Sequence, residues 1–72
     1  MTFEHQHLHL AEHHIAEIDD HIAAQRRLVN ALREQGEDPT EGERLLENLL
    51  ESQALAVVHR RLMLDRLQAE ND

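Results

Sequence analysis

Six of the seven histidines fall between residues 5 and 21, inside a stretch of unbroken helical periodicity, and imidazole is the side chain here best equipped for chemistry. His5, His9 and His13 recur every four residues, which stacks them along one face of a helix. An i, i+4 pair of imidazoles chelates zinc, nickel or copper, and Glu12 and Glu17 lie near enough to lend an oxygen. His7, His14 and His21 recur every seven residues and share their heptad position with Leu28, so they border the apolar side of the helix. There they suit an interface, as packing groups, as a contact that loosens on protonation, or as a metal or haem site inside a bundle.

Other chemistries lack their residues. Cysteine is absent, which removes disulfides, thiolate metal sites and cysteine nucleophiles. A di-metal carboxylate bundle needs inward glutamates and Glu-x-x-His pairs; Glu4 and His7 supply one such pair at the very start of the chain, and the second helical segment supplies no core glutamate. Ser52, the single serine, is placed by the expected folding beside Ala23 and Ala24 rather than a histidine. No glycine-rich phosphate loop occurs, and Phe3 is the only aromatic residue, so stacking platforms for bases are missing. These residues predict a protein that is not an enzyme and requires no cofactor.

Charge narrows the partners. Fifteen acids face seven arginines and no lysine, for a formal charge of −8, which opposes direct contact with nucleic acid or an anionic bilayer. No stretch reaches the roughly 18 apolar residues of a membrane span, and the N-terminus carries no secretory pattern, so a cytoplasmic chain is expected. Protonating every histidine would set fourteen cations against the fifteen acids and remove most of the self-repulsion.

The elements that position these groups follow from one break, Gly36-Glu37-Asp38-Pro39. Gly36 suits the left-handed residue after a helix end, while Asp38-Pro39-Thr40-Glu41 offers a capping acid and a proline for the first helical position. Thr40 with Glu43 forms a competing capping box. Thr2 is the candidate cap for the first helix. The spacing predicts helices over about 3–35 and 39–69, joined by a turn at 36–38, in a single all-α unit spanning 1–72. Gly42 reads as a weak spot in the second helix's first turn.

Leu8, Ala11, Ile15, Ile18, Ile22, Gln25, Val29 and Leu32 follow the 3-4 spacing of a heptad seam. Leu46, Leu50, Gln53, Val57, Leu64 and Leu67 make its counterpart. An antiparallel fold-back pairs residues whose numbers sum to about 75, with Gln25 and Gln53 within about a turn of each other, either at the seam edge or as a buried amide pair. Each helix runs from acids to arginines, so antiparallel pairing also brings opposite charges together.

A two-helix hairpin buries little, since each helix has one neighbour. Leu55, Val58 and Leu62 form a stripe roughly 100° or more from the second seam, and Leu10 and Leu28 widen the first. We therefore expect an antiparallel two-helix hairpin that self-associates as a homodimer into a four-helix bundle, with His7, His14, His21, Leu28, Leu55, Val58 and Leu62 in the interface. The function expected is a small interaction or regulatory module, with a different protein as the alternative source of the missing helices. Two other functions fit: a histidine-rich metal-binding or pH-responsive protein using His5, His9 and His13, and an acidic decoy for a basic protein.

The segment His21-Ile22-Ala23-Ala24-Gln25-Arg26-Arg27-Leu28-Val29, with Leu32, Gly36, Asp38, Glu43-Arg44-Leu45-Leu46 and Gln53, resembles a group of short uncharacterised proteins of alphaproteobacteria such as rhizobia. The likeness covers about residues 12–67 and implies a helical hairpin with a Gly-x-Asp turn. It implies no activity, and the histidine-dense start exceeds the pattern of that group.

Overall fold

The computed structural model describes residues 3–71, as two helices, α1 (Phe3–Glu34) and α2 (Thr40–Asn71), folded back on each other. Thr2 lies outside the described residues. Each helix has 32 residues, and the hairpin extends 57 × 17 × 12 Å.

The turn forms from local backbone chemistry. At the end of α1, the Glu37 N–H donates to the Leu32 carbonyl at 2.8 Å and the Gly36 N–H to the Arg33 carbonyl at 3.1 Å, satisfying carbonyls that the helix would otherwise leave open. Closing those bonds requires the left-handed φ of +73° at Gly36, which glycine adopts without a Cβ penalty. On the other side, Asp38 caps α2: its Oδ1 accepts from the Thr40 N–H at 3.0 Å and from the Thr40 hydroxyl at 2.6 Å. The Pro39 carbonyl accepts the Glu43 N–H at 2.8 Å, so proline opens the first turn. The competing capping box does not form; the Thr40 hydroxyl is spent on Asp38, and Glu43 reaches Arg33 across the hairpin at 3.3 Å.

The core lies between the two seams, and most of its fully buried part comes from α1. Ile15, Ile18, Ile22 and Val29 are buried there, Val29 to 2% exposure, whereas in α2 Leu67 alone among the described residues matches them. Val57 and Leu64, expected in the α2 seam, lie outside it and stay more than a third exposed; Ala56 and Met63, one residue earlier, are the half-covered positions. A single neighbouring helix covers the narrow seam of α1 but not the broader apolar surface of α2.

The register is tighter than the expected sum of 75. Asp19 meets Gln53 and Val29 meets Gly42, so residues at equal height have numbers summing to about 72. Gly42 is what allows this approach: a Cβ there would stand 3.2 Å from the Val29 Cγ2 and 3.6 Å from the Leu32 Cδ1. The weak spot read from helix propensity is thus a point of close helix contact. Gln25 and Gln53 form no amide pair with each other. The Gln25 Nε2 donates to the Gly42 carbonyl at 3.0 Å, about a turn toward the loop, and the Gln53 Nε2 to the Asp19 carboxylate at its own height, so each amide is satisfied by the facing helix without the other.

Candidate functional surface

At about 100° per residue, the positions flanking the seams fall on two opposite broad faces of the hairpin. One face carries His7, His14, His21 and Leu28 with Leu10 on α1, and Leu45, His59, Met63 and Arg66 with Leu55 and Leu62 on α2. At the open end of this face, His7 from α1 and His59, Leu62, Met63 and Arg66 from α2 line a groove of about 390 Å³. An adjoining hollow shares His7, His59 and Met63 and adds Leu10 and Ala11. The opposite face is mixed: in the groove beside the turn, Arg26, Arg33, Glu43 and Glu47 surround Leu46 and Leu50.

The large apolar side chains left in solvent lie mostly on the histidine-bearing side. Leu55 is 72% exposed, Leu10 62% and Leu62 61%; Leu28 and Leu45 are each half exposed. The Leu55 and Leu62 stripe stands about 150° round α2 from the α1-facing seam, and Val58 lies still farther, nearly opposite α1. Of the interface residues expected from sequence, His7, His14, His21, Leu28, Leu55 and Leu62 share this one side, with Val58 at its outer edge. Leu10, Leu45, His59 and Arg66 join them. Leu10 is signalled by its place beside the α1 seam; Leu45, His59 and Arg66 recur at heptad spacing with Ser52 between, a pattern too polar to register as apolar periodicity.

His5, His9 and His13 run along α1 away from this face and are exposed. The His13 Nε2 meets the Glu17 Oε1 at 2.7 Å, one turn along. Among the described residues, no three His, Asp or Glu side chains converge on a common point that would hold a metal ion. What the row offers is the two-imidazole chelate of His9 and His13, with Glu17 already engaged by one of them.

Electrostatics on the described surface are local. Arg44 pairs with Glu41 at 2.9 Å and Arg61 with Asp65 at 3.3 Å, both within α2, while Arg33 and Glu43 tie the helices at the turn. Exposed pairs of this kind contribute about 0–1 kcal/mol each. The Asp38 carboxyl is held below its ordinary value by the Thr40 hydroxyl and backbone N–H that donate to it. No described helix is long and apolar enough to cross a membrane. No family model matches this chain, and no curated protein or solved structure matches it either.

Proposed function

We propose that this hairpin is a non-enzymatic interaction module whose histidine-bearing face docks a second copy of the chain, giving a four-helix bundle. The observation that carries the reading is the apolar surface of the histidine-bearing side: Leu10, Leu28, Leu45, Leu55 and Leu62 all stand in solvent there, against Val57 and Leu64 on the other side. A chain that works as a monomer rarely leaves so much contiguous apolar surface in water. The area fits, since a 57 × 17 Å face offers roughly 1,000 Å² per copy against the ~800 Å² per partner of an ordinary stable interface. A second copy also brings an identical apolar face, and two-fold pairing closes the assembly.

Light scattering and sedimentation equilibrium test this directly. Tag-free protein at tens of micromolar should run at twice the mass of its 8.4 kDa chain, and the triple substitution Leu10→Ser, Leu28→Ser, Leu62→Ser should leave a helical monomer. Wild-type protein that stays monomeric at 100 µM removes the basis of the proposal.

A second reading, transition-metal binding, draws support from the exposed His9 and His13 at chelate spacing and from the Glu17 carboxylate beside His13. Zinc and nickel titrations of wild type against the His9→Ala, His13→Ala double variant decide it. Equal affinities would sink the idea.

A further inference from the structure

Two arrangements bury the same pair of faces. A two-fold axis along the bundle lays α1 on the partner's α2 with both turns at one end. An axis across the bundle lays α1 on the partner's α1 and α2 on the partner's α2, with turns at opposite ends. Both match apolar residues, so charge has to discriminate between them.

The hairpin's own register fixes the heights needed for the comparison. With the turns together, residues of equal height meet, and the sum of about 72 puts His7 against the partner's Arg66 and His14 against the partner's His59. Groups that carry or can acquire positive charge would face each other, and the two histidine-lined grooves would open onto the same place. With the turns apart and the axis at the height of Asp19 and Gln53, different groups meet. Leu10 comes opposite the partner's Leu28 and Leu62 opposite the partner's Leu45. Arg66 comes opposite the partner's Glu41, and His21 opposite the partner's Glu17. These four matches arise from one axis position to within a residue. Glu41 and Glu17 each also hold a neighbour on their own helix, Arg44 and His13, and a carboxylate has acceptor sites for both. The half-exposed leucines of the turn end therefore fill the grooved open end of the other copy, twice over by symmetry.

We infer that two copies associate head to tail, turn end on open end, with Arg66 on the partner's Glu41 and Leu62 on the partner's Leu45. This arrangement rests on the dimer proposed above and adds its orientation. Like charges placed face to face are a common means of excluding one register while a matched pair admits another.

The chain has no cysteine, so a single introduced one is a unique attachment point. Nitroxide-labelled Glu37→Cys places the probe on the exposed turn, away from the interface. Head-to-tail dimers should give a label-to-label distance of roughly 45–50 Å by pulsed dipolar spectroscopy, from a rise of 1.5 Å per residue. Mixing this chain with labelled Glu70→Cys should give a short distance, below about 25 Å. A short Glu37 to Glu37 distance overturns the orientation but keeps the dimer; no intermolecular distance at all, with monomer mass, overturns the dimer itself. Charge exchange supplies an independent readout. Glu41→Arg should weaken association roughly tenfold, as two equivalent pairs are lost, and adding Arg66→Glu should recover it. Effects of the two substitutions that merely add would overturn the Arg66 to Glu41 contact.

Discussion

The two ends of the hairpin are held by different forces. At the turn end, bonds with fixed direction dominate: the glycine cap at Gly36, the Asp38 cap, the Gln25 bond to the Gly42 carbonyl and the Arg33–Glu43 pair lie close together around Val29. At the open end the helices meet mainly through Leu67 and partly covered apolar side chains, and grooves lined by His7, His59 and Met63 remain. Directional bonds set a register; apolar contact gives adhesion without fixing it. The turn end thus sets the register, while leucines left exposed at both ends keep surface that a partner can cover.

Substitution in the core costs most. Ile22→Ala should cost about 2–5 kcal/mol, by lost transfer energy and the cavity left behind, as read by urea denaturation followed by circular dichroism. Leu10→Ala at the open end, already exposed, should cost well under half of that in dilute monomer, and an equal loss would mean that the open end is as tightly built as the turn. Gly42→Leu comes next. The new side chain would enter the 3.2 Å approach to Val29, so a loss of about 1–3 kcal/mol is expected. Gly42→Ala should fail to gain the ~1 kcal/mol that helix propensity alone promises, and a full gain would show that Val29 yields freely.

Gly36→Ala acts on the turn end alone. Nothing lies within 4 Å of the added Cβ, so the effect isolates the left-handed backbone, worth about 1 kcal/mol, and thermal melting should register it as a few degrees. The smallest expected effect is the acid limb contributed by Asp38. Its carboxyl is lowered by donors from Thr40, so the ionised form is favoured in the folded chain. The stability it contributes is complete above the carboxyl's ordinary value of 3.8 and is lost as pH falls through and below that value. Asp38→Asn should flatten the acid side of the stability profile without moving the neutral side by the same amount; an unchanged acid limb would place the sensitivity elsewhere.

Much of this was legible from residue order. The fold-back rests on Gly36, Asp38 and Pro39, whose conformational preferences act within a few residues, and on 3-4 apolar spacing that requires a facing helix. Exposure of Leu55 and Leu62 was equally readable, because no residue of a two-helix chain stands on that side of α2. Propensity misread Gly42 because it weighs a residue against its own helix and not against Val29 of the other. The glutamines show the same limit: their acceptors, the Gly42 carbonyl and Asp19, became neighbours only once the helices were set at their final heights.

The sequence by itself determined two helices, one turn and a seam, since periodicity, capping and turn formation are properties of neighbours along the chain. The tertiary structure decided the register near 72, the closeness at Gly42 and the joining of His7 with His59 in one groove. These depend on how two surfaces interlock over many residues at once, and a shift of a single turn would have paired every one of them differently.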